Sequence, residues 1–540
     1  MSKNWKKLFM GLALCAGMTA LTSCNDEVAN EGGGGNNEPG NETTETGYFS
    51  INLSGGIMTR ANLGTNVGTD SERKIGDVWV GLYDDMNETL EYSFHIDATN
   101  GNLGSDAFQG TDVVNDPYSS ANPNNGVTPP SNANFTMTAK KVQKKPYKMV
   151  VLANYSKVID PRVLEEGMNL EDLTLSMNKT VDELTSFTPN NPTTRDCIFM
   201  SNARGIVPVT VDDIDPQPEI AEQKAVPVTI DRAVAKINVV FPLQTGVIVE
   251  GGTIANAQWN VDIINRYLYP IRGQTDASDG NRGIVPETPA RTAPYMETSR
   301  YNLYAEDPNF ENVSIQLNPM LPPNGLDYNF IRITSSDITK HIDQRDPLSP
   351  ADIPYDFYTH VTENTMKAEE QWEDVTTRVV VKLNYIPTGM TQDESYFYYS
   401  VNKRFYTLSK IQTGDLSTLP SSLVALLEDI QGDPQYQIDG YPGTPSWTYR
   451  GLTYYSQGIS YYSILIRHFD EIQQPVFMQY GRYGVVRNNV YNITIRSIKK
   501  PGSIDIPEPE GPDDKEGYEE YISADITVQP WYVRGQESDL

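Results

Sequence analysis

Few side chains in this sequence have the type and spacing to do chemistry. His360 and Glu363 stand as His-x-x-Glu, two metal-ligand types on one turn, but no third ligand lies near enough to complete a zinc site. Asp212, Asp213 and Asp215 gather carboxylates, as calcium prefers, yet the alternating six-oxygen loop pattern is missing, so a solvated acidic turn is expected. His95 and His468 sit beside aromatic or apolar residues and are expected to pack. No His-Glu-x-x-His, Gly-x-Ser-x-Gly, P-loop or Gly-x-Gly-x-x-Gly occurs, and Gly481-Arg482-Tyr483-Gly484 fits a nucleic-acid-binding loop only trivially. Lys140, Lys141, Lys144, Lys145 and Lys148 form the one basic run. In a chain of 71 acidic against 42 basic residues, net −29, a phosphate backbone finds too few clustered cations, so no nucleic-acid partner is expected. The run is expected to flank the strand at Met149 and blunt a sheet edge. No enzyme and no cofactor are read from these residues.

Chemistry of another kind is written at the N-terminus. Lys3, Lys6 and Lys7 precede an apolar stretch from Leu8 to Leu21, too short and too early to span a membrane. It ends in Leu21-Thr22-Ser23-Cys24, the pattern of a lipobox, in which the leader is removed before Cys24 and the thiol receives diacylglycerol. Several acyl chains supply the anchoring that a single chain does not. With Cys15 removed and Cys24 lipidated, Cys197 is the last thiol, in the apolar run Cys197-Ile198-Phe199-Met200, and a buried structural role is expected. No intrachain disulfide is then possible.

The elements around these residues read as strands. Residues 25 to 46 are Gly, Asn, Glu and Thr with little to bury, a flexible tether. From Tyr48 to Ser54, Phe49, Ile51 and Leu53 alternate with Ser50, Asn52 and Ser54, the period of a half-buried strand. Further strands are predicted at Val78–Tyr83, Tyr147–Asn154, Ile198–Met200, Val226–Ile230, Val234–Phe241, Trp259–Ile264, Val379–Tyr385, Tyr396–Val401, Tyr461–Ile466, Val476–Tyr480 and Val490–Ile498. Short helices are predicted at Arg162–Glu166, Thr180–Leu184 and Ser421–Ile430. Many short strands with turn-rich joins argue for β-sandwiches over a parallel α/β sheet. A boundary is expected near Asp231, where two strand-like runs meet end to end. Asp97 to Asn134 is the longest polar connection. Pro501 to Gly517 is an acidic, proline-rich linker, followed by Tyr521 to Trp531, where Ile522, Ala524, Ile526 and Val528 alternate with Ser523, Asp525, Thr527 and Gln529. A well-made strand on a loose tether is not obviously part of its own sheet. Pro530, which cannot donate to a ladder, ends it or puts it at an edge.

Several strings carry a family resemblance. Gly484-Val485-Val486-Arg487-Asn488-Asn489-Val490-Tyr491-Asn492-Ile493-Thr494-Ile495-Arg496-Ser497-Ile498-Lys499-Lys500 resembles the late strand of the Bacteroidetes fimbrillins, the type V pilins, and is most similar to the major subunits of short fimbriae. Asp525-Ile526-Thr527-Val528-Gln529-Pro530-Trp531 resembles the C-terminus of those proteins, Asp231-Arg232-Ala233-Val234-Ala235-Lys236 their inter-domain segment, and Met149 to Asn154 their N-domain strand. Asp26 and Glu27 resemble the acidic export signal of surface lipoproteins. Residues 97–134 and 272–375 carry no resemblance.

The resemblance implies an all-β chain of two tandem transthyretin-like β-sandwich domains with long loop insertions and a C-terminal donor strand. The implied parts are a signal peptide at 1–23, a lipidated tether and removable first strand at 24–60, sandwiches at 61–231 and 232–500, and a linker with donor strand at 501–540. It implies a stalk subunit of an adhesive fimbria, held at the outer membrane through Cys24 until an Arg-specific surface protease cuts between Arg60 and Ala61; Arg73 is the nearest competing site. Phe49, Ile51 and Leu53 then leave, and Ile522, Ala524, Ile526 and Val528 of a second copy take their place. Partners would be further copies of the chain, accessory anchor and tip pilins, and the protease. Other readings are an anchor or tip subunit of the same fimbria, or a surface glycan-binding lipoprotein using Tyr454-Tyr455 or Tyr461-Tyr462 as a platform.

Overall fold

The structure is a computed structural model that describes residues 45–55, 72, 75, 77–97, 113–115, 135–185, 198–203, 205–272, 284–286, 303–305, 307–310, 330–345, 355–366, 371–412, 416–438, 444–468, 482–508 and 521–530. It is all-β with a few short helices, arranged around two large cores and smaller apolar clusters.

The first core is enclosed by one nine-stranded sheet and a two-stranded ribbon. The sheet runs in the order Leu90–Asp97, Asp77–Asp84, Tyr147–Ala153, Met200–Asn202, Val226–Arg232, Ile51–Gly55, Phe135–Met137 and Val113–Asn115, with Val207–Val209 also on Tyr147–Ala153. The ribbon pairs Thr46–Phe49 with Lys140–Gln143. Trp79, Val80, Leu82, Met149, Val151, Phe199, Val228 and Ile230 fill the interior. Gly81 is required there, because a Cβ at that position would lie 2.1 Å from the Trp79 ring. Of the short helices, Val181–Leu184 starts at a capping box, the Thr180 hydroxyl accepting from the Glu183 amide at 3.2 Å while the Glu183 carboxylate accepts from the Thr180 amide at 2.8 Å.

The second core lies between two sheets, a sandwich. One sheet holds Ile248–Val249, Asn489–Ile498, Val234–Pro242 and Asp343–Arg345, with Tyr358–Thr362 on Val234–Pro242 and Ile522–Pro530 on Asn489–Ile498. The other holds Lys340–His341, Gly252–Asp262, Arg378–Pro387 and Ile459–Leu465. Ile237, Val239, Tyr491, Ile493 and Ile495 of the first meet Trp259, Val261, Val381, Leu383 and Ile464 of the second. Between Arg378–Pro387 and Ile459–Leu465 an insertion forms its own four-stranded sheet, Arg404–Thr407, Tyr396–Tyr399, Leu452–Tyr455 and Trp447–Tyr449, over the helix Ser421–Asp429.

Val226–Arg232 ends in the nine-stranded sheet and Val234–Pro242 begins in the sandwich, so the chain changes sheets across Ala233. Val234 faces the first core and Ala235 the second.

Candidate functional site

The two lone amphipathic strands are both seated. The N-terminal one breaks at Ser50, whose hydroxyl donates to the Met137 carbonyl at 2.6 Å and whose carbonyl accepts from Val226 N–H at 2.9 Å. Before the break, Thr46–Phe49 belongs to the ribbon. After it, Ile51–Gly55 lies inside the sheet, parallel to Val226–Arg232 on one side and antiparallel to Phe135–Met137 on the other. Phe49, Ile51 and Leu53 are buried in the first core.

The C-terminal strand, Ile522–Pro530, lies antiparallel along Asn489–Ile498 of its own chain, from Ile498↔Ile522 to Asn489↔Pro530, with one bulge between Ile495 and Ser497. Ile522 and Ile526 are buried in the second core and Ala524 packs against it. Val528 stands opposite Tyr491 in the register. On the other face, Arg496 Nε donates to Asp525 Oδ2 at 2.6 Å, and Ser497 and Ser523 share a hydroxyl contact of 2.7 Å. The strand expected to stand apart from its own sheet therefore completes it, since its apolar face matches the register of Ile493 and Ile495. Pro530 costs nothing at the end of an edge strand.

The first part of the acidic linker is also fixed. Tyr461 and Ser503 exchange two backbone hydrogen bonds (2.8 and 2.9 Å), Tyr455 and Tyr462 hydroxyls donate to the Gly502 and Lys500 carbonyls (2.8 and 3.0 Å), and Arg378 Nη2 donates to the Pro507 carbonyl at 2.6 Å. These tyrosines were candidates for an exposed sugar platform. Instead Tyr454, Tyr455, Tyr461 and Tyr462 are buried, their rings in cores and two of their hydroxyls engaged by the linker backbone.

Where the sheets meet, sequence reasoning missed a set of buried ions. Glu72 accepts from Lys236 Nζ at 2.9 and 3.2 Å and lies 3.3 Å from His360 Nε2, all three buried. Beside them, Arg487 Nε donates to Glu363 Oε2 at 2.8 Å and its backbone N–H to Glu363 Oε1 at 3.1 Å. Arg272 bridges Asp231 at 3.0 Å and Glu363 at 3.6 Å, and Asn488 Nδ2 donates to Asp231 Oδ1 at 2.6 Å. Asp262, in the sandwich, holds Arg378 at 2.8 Å and Arg332 at 3.0 Å. Lys236 balances Glu72, and Arg487 and Arg272 balance Glu363 and Asp231, as buried ions must; Asp262 faces two guanidiniums, of which Arg332 is partly exposed. Burial alone would push the Glu72 carboxyl up, but Lys236 and His360 outweigh it and hold it well below the usual carboxylate range. His360 and Glu363, the sequence's metal-like pair, are thus counter-ion partners in this seam; among the described residues no cluster could hold a metal. Charged residues within or just before apolar strand runs, Lys236 and Arg487 above all, were the available signal.

Asp307 is the exception in this region. Its carboxylate accepts from the Thr365 amide at 2.6 Å and the Asn309 amide at 2.7 Å, yet burial, with the Glu363 charge adding to it, pushes its pKa up to about 7. An acid raised in this way contributes stability below its unfolded value near 4 and loses it as pH rises through about 7, on the order of 4 kcal/mol in all. The difference in unfolding free energy between the native chain and Asp307→Asn should therefore shift in favour of the variant between pH 4 and 8. A flat difference across that range would show that the group does not titrate there.

The remaining candidates are structural. Lys145 binds Asp84 (2.6 Å) and Glu91 (2.7 Å), Lys148 binds Glu88 (2.6 Å) and Lys144 binds Glu45 (3.1 Å). The basic run is thus partly neutralised by acidic neighbours, and Lys140–Gln143 pairs with the first strand in place of blunting an edge. Asp213 caps Thr210 and Asp215 binds Lys224 at 3.0 Å, a solvated turn. His95 and His468 each hold a tyrosine hydroxyl at 2.7 Å, Tyr155 and Tyr491. Cys24, Arg60, Ala61, Arg73 and Cys197 lie outside the described residues.

Residues 453–537, from the inner strand of the insertion past the terminal strand, match the family model described as "Major fimbrial subunit protein type IV, Fimbrillin, C-terminal". By this match residues 453–537 are similar to the C-terminal part of the fimbrillins. A search of curated proteins finds no match. Similar solved structures include a fimbrilin from Porphyromonas gingivalis W83 (13% identity, 92% of this chain and 100% of that one, TM-score 0.39). Others are a cell adhesion protein from Parabacteroides distasonis ATCC 8503 (10%, 90% and 97%, 0.41) and the tip fimbrial protein Mfa3 from Porphyromonas gingivalis, with C-terminal truncation (9%, 90% and 100%, 0.37).

Proposed function

We propose that the chain is a structural, non-enzymatic subunit of an extracellular fimbria, the stalk subunit of a strand-exchanged polymer. The fimbrillin match over residues 453–537 supports the fimbrial role. The observation that carries the mechanism is the seat of Ile51–Gly55, an interior strand that arrives on a long N-terminal tether and fills a slot between two other strands. In this reading Cys24 is lipidated and holds the precursor at the outer membrane. An Arg-specific protease then adds water across the Arg60–Ala61 bond, leaving a carboxylate on Arg60 and an amine on Ala61.

The first strand departs with its lipid. Val226–Arg232 and Phe135–Met137 are left with unpaired edges around an apolar trough, a template for another strand. Ile522, Ala524, Ile526 and Val528 of a neighbour have the matching period. Three large side chains at roughly 1.5–3 kcal/mol each, with ladder hydrogen bonds, give on the order of 10 kcal/mol before ordering costs. Head-to-tail contacts of this kind do not close on themselves, so they build a filament. The reading requires the terminal strand to leave Asn489–Ile498 of its own chain first.

Arg60→Ala tests the processing step. The variant should remain an acylated precursor on the cell surface, its N-terminal residue Cys24 by mass spectrometry, with no fimbriae. Processing of that variant to Ala61 at the native rate would refute the assignment.

A further inference from the structure

Between the first strand and Asp77, two residues are described, Glu72 and Ile75, and both are buried, at 0% and 5% exposure. Glu72 is tied from both sides of the junction. Its carboxylate accepts from Lys236 of the sandwich, and its carbonyl accepts at 3.0 Å from Nε of Arg232, the last residue of the Val226–Arg232 strand. Lys236 is itself held in place, its Nζ lying 4.0 Å from the centre of the Tyr358 ring. Ile75 packs in the first core. Asp77 follows at once, its carboxylate accepting from the Tyr155 amide at 2.7 Å and the Ser156 hydroxyl at 2.5 Å, and its carbonyl from the Asn154 amide at 2.9 Å.

We infer that Glu72 is the anchor that separates the removable part of the chain from the retained part, and that it steers an Arg-specific protease away from Arg73. This rests on the processing reading above and adds to it the residue that sets which arginine is used. Proteolysis requires the residues on both sides of the bond to enter the protease cleft as exposed, extended chain, so susceptibility follows the burial and hydrogen bonding of the flanking backbone. At Arg73–Lys74 the residue before Arg73 is a buried, ion-paired glutamate and the residue after Lys74 is in the core. Extracting Glu72 strips Lys236 of this carboxylate in a buried site, an opening that is rare because the remaining charge is poorly solvated. Arg60 lies twelve positions earlier than this anchor. A cut there releases the first strand and leaves Glu72 on the body, where it goes on joining the two sheets. A cut at Arg73 would send the anchor off with the leader.

Brief trypsin digestion of the full chain, which offers Arg60, Arg73 and Lys74 to one protease, tests this without the native enzyme. Mass spectrometry of the new N-termini should find Ala61 early, with chains beginning at Lys74 or Ile75 forming at least about 100-fold more slowly. Glu72→Gln should bring the Lys74 and Ile75 products to within about tenfold of Ala61. Hydrogen exchange of the native chain provides a readout that does not depend on how well that variant folds: the amides of Glu72 and Ile75 should be protected to the level of the Asp77–Asp84 strand. Lys74 or Ile75 appearing as early as Ala61 in the native chain, or unprotected amides at Glu72 and Ile75, would overturn the role of Glu72. Should Arg60→Ala still be processed normally on cells while trypsin passes over Arg73, the processing reading fails and the role of Glu72 stands.

Discussion

Arg487→Ala is expected to destabilise the folded chain by about 3–5 kcal/mol, the cost of removing one partner from a buried ion pair. The guanidinium lies in the seam between the sheets, its Nε 2.8 Å from Glu363 and its Nη2 donating to the Tyr269 carbonyl at 2.9 Å. Its removal leaves Glu363 with Arg272 at 3.6 Å as its remaining close cation and opens a void the size of a large side chain. Arg272 cannot move fully toward Glu363 without loosening its 3.0 Å bridge to Asp231. The loss should therefore spread through the junction instead of staying at one contact. Glu363→Gln combined with Arg487→Met removes both charges and keeps most of the volume, and should cost much less than the sum of the single changes. Urea unfolding of the native chain, Glu363→Gln, Arg487→Met and their double variant, followed by tryptophan fluorescence, gives the coupling energy. Additive losses would mean that Glu363 and Arg487 do not act as a pair.

That seam was the part of the molecule least legible in the sequence. Glu72 and Lys236 are 164 positions apart, and Glu363 and Arg487 are 124 apart, so no local pattern joins them. What could be read was periodicity. Phe49, Ile51 and Leu53 alternate, and they are buried; the runs at Val234 and Val490 lie side by side as parallel strands of one sheet. The strand Leu90–Asp97 was missed although Leu90, Tyr92, Phe94 and Ile96 alternate with Glu91, Ser93 and His95. The tyrosine pairs misled for a physical reason. A tyrosine has one apolar body and one polar tip, so Tyr455 and Tyr462 can sit in a core provided their hydroxyls find an acceptor, which the linker backbone supplies. Composition marked that linker as loose because Pro and acidic residues dominate it, and composition is blind to the tyrosine hydroxyls and Arg378 that fix residues 501–508 in place.

The terminal strand posed a different problem, since its period states which face is apolar but not whose sheet will cover it. Covering its own chain's Asn489–Ile498 strand makes the chain self-capped, and the proposed exchange would then be a competition. The intramolecular strand acts at an effective concentration set by the length of its connection. A neighbour wins only where the vacated first-strand slot binds better or is available longer. Locking the strand at home should therefore abolish assembly. Thr494 and Asp525 stand directly opposite each other in the register, on the face turned away from Ile493 and Ile526. Thr494→Cys with Asp525→Cys should form a disulfide that staples the strand to its own sheet. Oxidised, cleaved protein is expected to stay monomeric by light scattering and electron microscopy, and reduction should restore fibres at the native rate. Deleting residues 521–540 should give monomers that reduction does not rescue, less stable than the native chain because Ile522 and Ile526 leave the second core. Native-rate fibre growth from the oxidised staple would mean that the subunits are joined by something other than this strand. Growth after reduction but not before would place the strand's release on the assembly path, since the two states differ only in one bond.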